Sequence, residues 1–164
     1  MFKKEIERKF LVDKTKLPNL NDKQCINIIQ GYLSGQHDNI EVRVRYSKYN
    51  DDNETYELVI KDMGLKKRNE ITYNISKSEF DLSIMLCGNK VINKTRYLIP
   101  NSIDNTRMME LDIYNGIDLV VCEYENENEV DVDTLPMEKW FIREITDDIN
   151  YKNSSIAYNI NKYK

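Results

Sequence analysis

The chain has 164 residues, enough for one compact domain with a sizeable core and short for two, so we expect a single domain over 1–164. With 24 lysines and arginines against 28 aspartates and glutamates, the net charge of −4 gives no overall basic footprint, and composition offers nucleic-acid binding no support. No run approaches the roughly 18 apolar residues of a membrane helix, and MFKKEIERKF lacks the apolar stretch of a signal peptide, so the sequence reads as cytoplasmic with no membrane partner.

Strand-like alternation appears at 4–12, 27–34, 40–48, 55–62, 68–75, 91–99, 107–114 and 118–126, eight segments at short spacing. A mostly antiparallel β fold follows. One helix interrupts them: in SKSEFDLSIMLCG, Ser76 or Ser78 caps, Phe80, Ile84 and Leu86 keep helical spacing, and Gly88 closes the end. YNDDNET (49–55) and ENENEVDVD (125–133) read as polar turns. The tail from Pro136 suggests short helical pieces that pack on the sheet or plug it.

Any chemistry must come from carboxylates, lysines, tyrosines or a metal. His37 is the single histidine, in a polar turn, which leaves no two-histidine metal site and makes histidine acid–base chemistry improbable. Cys25, Cys87 and Cys122 are three, without a ligand-pair spacing, and read as buried thiols.

Residues two apart share a strand face, so the charges can be sorted. Glu5, Glu7 and Lys9 lie together opposite Ile6, Phe10 and Val12, and Glu41, Arg43 and Arg45 lie opposite Val42, Val44 and Tyr46. Lys61 shares a face with Glu57 and Val59; Arg68 and Glu70 oppose Ile71 and Tyr73. Lys94 pairs with Arg96, Glu110 with Asp112, and Glu123 with Glu125. A solvated face intersperses signs, because like charges side by side on a sheet cost a few tenths of a kcal/mol or more. Same-sign pairs on so many strands instead describe an inward charged face. A barrel of about eight strands can enclose such a cavity, and several kcal/mol per buried ion then calls for a compensating ligand. Carboxylate clusters suit Mg²⁺ or Mn²⁺, and arginines and lysines suit phosphate oxygens. The ligand inferred is a polyphosphate with divalent metal.

EIERKFLV resembles the ExExK signature of the triphosphate tunnel metalloenzymes, the CYTH superfamily. The likeness continues in order through QGYLS, EVRVR, VIK, RNEITYNI, INKTRYLIP, MELDIYNG with LVVCEYE, and FIREITDD with YKNSSIA. It implies an eight-stranded antiparallel closed β-barrel (α+β, mainly β) with a charged interior and a few flanking helices. It also implies a Mg²⁺- or Mn²⁺-dependent triphosphatase acting on a small-molecule triphosphate, in a family that often forms homodimers. On the matching positions, Lys9, Arg43, Arg45, Lys61, Arg68, Lys94 and Arg96 would hold phosphate. Glu5, Glu7, Glu70, Glu110, Asp112, Glu123 and Glu125 would hold metal or orient water, and Glu5, Glu7, Lys94 and Tyr32 are the catalytic candidates. Met109, Phe141 and Ile142 depart from the family's usual residues, which reads as altered shape near the tunnel. Inorganic triphosphate is the expected substrate, with nucleoside triphosphates as further ones. A class IV adenylate cyclase, a thiamine triphosphatase and a non-enzymatic polyphosphate-binding module are the alternatives.

Overall fold

A computed structural model describes residues 1–162. The expected strands form β1 (Phe2–Val12), β2 (Gln24–Tyr32), β3 (Ile40–Tyr49), β4 (Glu54–Asp62), β5 (Lys67–Asn74), β6 (Val91–Pro100), β7 (Met108–Tyr114) and β8 (Val120–Asn126). All their pairings are antiparallel, in the order β5-β4-β3-β2-β6-β7-β8-β1, and β1 pairs back with β5 to close an eight-stranded barrel. The turn between β3 and β4 falls where YNDDNET places it, with Asp52 at φ 63°, a conformation that the short polar side chain tolerates.

The tail differs from expectation. It holds a ninth strand, β9 (Phe141–Glu144), besides the short helix α3 (Asn153–Tyr158). The cause is an edge left free on β1. β5 pairs only with Phe2 to Ile6, and β9 takes the same edge from Phe10 to Val12. Between them, Glu7 N donates to Lys66 O (2.9 Å), Lys9 N to Thr146 Oγ1 (3.0 Å) and Ile145 N to Lys9 O (2.8 Å), so the loops on either side supply partners where the two strands leave a gap. The ENENEVDVD stretch is likewise not all turn, because Asn128 caps α2 (Glu129–Asp133) by accepting from Val130 N and Asp131 N.

Helix α1 (Lys77–Leu86) follows β5, with Ser76 as its cap and Glu79 returning the bond in a capping box. Gly88, at φ 61°, supplies the left-handed residue past its end. The helix lies close to β2 because position 31 is glycine: a Cβ there would sit 2.6 Å from Ile84 Cδ1 and 2.7 Å from Cys87 Sγ.

Apolar packing lies outside the barrel and at one end of it. Phe10, Leu111, Cys122 and Trp140 pack under α2 and β9, while Phe80 of α1 and the following Cys87 pack on Val44 of β3. At the end where β2 and β7 finish, Tyr32, Ile92, Tyr114 and Val121 meet Ile145, Ile156 and Ala157, so α3 plugs that end. The other end stays polar. The ionic face is left to line the interior.

Candidate active site inside the barrel

A cavity of about 160 Å³ lies within the barrel, lined by six acidic and six basic side chains and Asn153. Its charge is sorted by strand. Glu5 and Glu7 on β1, Glu110 on β7, and Glu123 and Glu125 on β8 make an acidic wall from three adjacent strands, with Lys3 of β1 among them. Arg43 and Arg45 on β3, Lys61 on β4 and Arg68 on β5 make a basic wall, with Glu70 among them and Arg96 on β6 completing the ring. Arg45, Glu70, Arg96 and Glu110 also border a second space of about 230 Å³ with Ser47, Glu57 and Thr72, so the cavity opens away from the α3 plug.

Strand register decides which of these charges are answered. Glu5 lies across from Arg68, Lys61 from Glu70 and Arg96 from Asp112, each an opposite-sign pair. Glu7, however, lies across from Glu125, and Glu110 from Glu123. Carboxylates facing carboxylates repel, and within a barrel they do so without bulk water to screen them. Glu5, Glu7 and Glu125 each present an oxygen within 4.8 Å of the others. An all-oxygen, like-charged cluster of this span fits a hard divalent cation.

The ionisation of the wall follows from these contacts. Burial, then Glu5 and Glu110, pushes Glu125 up to about 7 against the opposing charge of Lys3, which bonds it. Burial also raises Glu7, assisted by Glu123 and Glu5 and resisted by Lys9. In Glu5, burial is outweighed by Lys61 (2.7 Å) and Arg68 (3.5 Å), which hold it well below the usual range. Glu123 is held low in the same way, burial being overcome by Lys9 (3.0 Å), Lys94 and Arg96 (3.2 Å). The wall therefore contains two carboxylates that resist ionising beside two that stay ionised.

The bases divide as well. Arg96 meets both oxygens of Asp112 (2.7 and 2.8 Å) as well as Glu110 (2.5 Å), and Lys61 meets Glu5 and Glu70 (2.8 Å). Among the described residues Glu41, at 3.6 Å, is the one carboxylate within 4 Å of Arg43, whose Nε is buried without a hydrogen-bond partner. Arg45 has no carboxylate within 4 Å among the described residues; its Nε donates to Gln30 Oε1 at 3.2 Å. The two arginines of β3 are the least neutralised cations of the cavity.

Of the residues singled out in the sequence, Glu5, Glu7, Arg43, Arg45, Lys61, Arg68, Glu70, Arg96, Glu110, Glu123 and Glu125 line this space. Four lie behind its lining. Asp112 is fully buried, with one oxygen on Lys94 Nζ (2.5 Å) and both on Arg96, so its lone pairs face those cations and not the cavity. Lys94, under burial, falls to about 8 despite Asp112. Lys9 holds Glu123 and reaches Tyr151 O at 3.4 Å. The Tyr32 hydroxyl accepts from Gln30 Nε2 at 2.8 Å, and burial raises its phenol well above the ordinary value.

Met109, Phe141 and Ile142 do not shape the tunnel: Met109 belongs to the outer apolar layer, Phe141 stacks on Phe10 at 4.1 Å, and Ile142 is exposed. Lys3, Gln30 and Asn153 were missed. Lys3 and Gln30 could have been found by continuing the alternation of β1 and β2 one step toward the amino terminus, from Glu5 and Tyr32. Asn153 could not, since it reaches the cavity from α3.

Comparison with known proteins gives the following. The CYTH domain family model matches residues 3–155. The inorganic triphosphatase of Nitrosomonas europaea is 30% identical over 160 residues, which is 95% of this chain and 98% of that protein. The crystal structure of the inorganic triphosphatase NE1496 superposes with a TM-score of 0.66 at 28% identity, covering 93% of each chain. The PH1819 protein from Pyrococcus horikoshii OT3 shares the fold, with a TM-score of 0.53 at 17% identity over 79% of this chain and 82% of that one.

Proposed function

The chain belongs to the CYTH domain family, and from that premise we propose that it is a divalent-metal-dependent hydrolase of triphosphates, with inorganic triphosphate as substrate and phosphate and pyrophosphate as products. The observation that carries this reading is the separation of an acidic wall from a basic one across a single small cavity. With all twelve groups ionised such a cavity is electrically balanced, and while Glu7 and Glu125 keep their protons it carries a positive excess, so a polyanion can enter alone but leaves the cavity negative once those two ionise. A polyanion entering with cations keeps the balance.

In this reading Glu5, Glu7 and Glu125 hold the metal, as Mg²⁺ or Mn²⁺, because their oxygens converge and two of them resist ionising until a cation arrives. When bound, the metal neutralises phosphate oxygens and lowers the pKa of a coordinated water. The chain does the rest. Arg43 and Arg45, the least neutralised bases, hold the phosphate oxygens, and Lys61, Arg68 and Arg96 bear on the same chain of phosphates from neighbouring strands. Fixed in place before the reaction, these donors stabilise the charge that develops on the transferred phosphoryl group. Glu123 and Glu110 face the same space and orient the attacking water. Asp112 clamps Lys94 and Arg96 so that the arginine keeps one geometry.

The test is incubation of the pure protein with Mg²⁺ or Mn²⁺ and inorganic triphosphate, ATP or thiamine triphosphate in parallel, assaying phosphate, pyrophosphate and cyclic AMP. Phosphate release, fastest from inorganic triphosphate, is expected. Cyclic AMP with pyrophosphate from ATP, or tight binding without turnover, would overturn it.

A further inference from the structure

Gln30 is fully buried inside the barrel, on β2, between the cavity and the plugged end. Its register partner is Arg45, and its amide is committed at both ends: Oε1 accepts from Arg45 Nε at 3.2 Å, and Nε2 donates to the Tyr32 hydroxyl at 2.8 Å. The orientation of the amide is forced, because guanidinium nitrogens only donate and so must meet the oxygen. Every other arginine lining the cavity has a carboxylate within 4 Å. Arg45 has a neutral oxygen in that place.

Resting on the triphosphatase reading, we propose that Gln30 is the positioning residue of the anion site: it fixes the Arg45 guanidinium by one hydrogen bond while leaving its charge unspent for a phosphate oxygen. A glutamate at the same position would orient Arg45 equally well and would neutralise it. A glutamine does the first without the second. The tyrosine completes the device, since its hydroxyl is buried and accepts from an amide hydrogen that would otherwise be unsatisfied. Only Nε is engaged by this bond, so the remaining guanidinium edge is available for the forked contact that arginine makes with phosphate.

The experiment compares Gln30→Glu and Gln30→Met with wild type in three measurements: sodium triphosphate binding by calorimetry in EDTA, thermal unfolding in EDTA, and steady-state hydrolysis with Mg²⁺. Gln30→Glu should weaken triphosphate binding and raise KM by at least about tenfold, with kcat moved much less, as expected for loss of an interaction shared by ground and transition states. Its melting temperature should equal or exceed wild type, because Arg45 gains a partner. Gln30→Met should weaken binding by about threefold, having lost the orienting bond but added no charge. Weaker binding joined to unchanged or higher melting is the signature, since a merely structural glutamine would lose both together. Wild-type affinity in Gln30→Glu overturns the proposal. Should Gln30→Glu melt below wild type, wild-type affinity in Gln30→Met overturns it instead. Wild-type protein that neither binds nor hydrolyses triphosphate overturns the triphosphatase reading first, and this inference with it.

Discussion

The two faces of β1 are hidden almost equally and for opposite reasons. Outward, Ile6 and Phe10 are 1% and 0% exposed; inward, Glu5, Glu7 and Lys9 are 5%, 6% and 5% exposed. Burying the first pair stabilises the barrel, at about 25 cal/mol per Å² of apolar surface. Burying the second set costs several kcal/mol per ion, which the opposite-sign contacts only partly offset. Burial alone therefore does not distinguish what holds this fold together from what the fold holds for a ligand. Substitutions on the two faces of this one strand should make the distinction measurable.

The largest expected effect is on the outer face. Phe10→Ala should lower unfolding free energy by about 3–5 kcal/mol, read from urea denaturation, while the folded fraction keeps its kcat for triphosphate. If Phe10→Ala were stable and inactive, the outer layer would be part of the site and the division would fail. Next is Glu7→Gln on the inner face. Here kcat/KM should fall by roughly 100-fold, about 2.7 kcal/mol, and the metal-free protein should be no less stable, since burial and neighbouring carboxylates already disfavour the ionised glutamate. A large loss of stability in EDTA would show that Glu7 is a structural ion and not a ligand held in readiness.

The inner face also carries a pH signature. Glu125 titrates at about 7 in the folded protein against an ordinary 4.5, so between those values the folded chain binds a proton that the unfolded chain has lost. The stability of the metal-free protein should then fall as pH rises from 4.5 to 7, by about 2–3 kcal/mol from this residue. Urea melts in EDTA between pH 5 and pH 8 read the slope, and Glu125→Gln should flatten it. The same proton must leave when metal binds, so Mn²⁺ affinity should climb through that range in wild type. An equally steep stability slope in Glu125→Gln would place the repulsion elsewhere on the wall.

How much of this was legible follows from the range of each signal. Alternation with period two is local, so EIERK, EVRVR and NKTR disclosed both the strands and the sharing of one charged face. Closure of the sheet was carried by the same pattern, since that many same-sign pairs make poor sense in water. Register is not local. That Glu7 meets Glu125 while Glu5 meets Arg68 depends on where two distant strands align, and no residue in either segment announces it. Asp112 shows the consequence: on sequence it is the twin of Glu110, yet in the barrel both its oxygens are spent on Lys94 and Arg96. β9 was illegible for a related reason, being four residues that become a strand because β1 has a free edge for them. Gln30 escaped notice because a search for charge passes over the neutral residue that keeps a charge available.

The smallest predicted effect tests whether the outer layer under α1 is independent of the tunnel. Ser76 caps α1 in an exposed capping box, so Ser76→Ala should cost about 1 kcal/mol in urea denaturation. The helix it caps sits on β2 and β3 through Gly31, Val44 and Phe80, and the opposite faces of those strands carry Gln30, Arg43 and Arg45. If the two faces act separately, KM for triphosphate is unchanged in Ser76→Ala even as stability drops. A rise in KM would mean that looseness in α1 reaches the β3 arginines through the strand, and the barrel wall would then be a coupled layer. The geometry favours separation, because the interior contacts of Arg45 run to Gln30 within the barrel and none of them passes through α1.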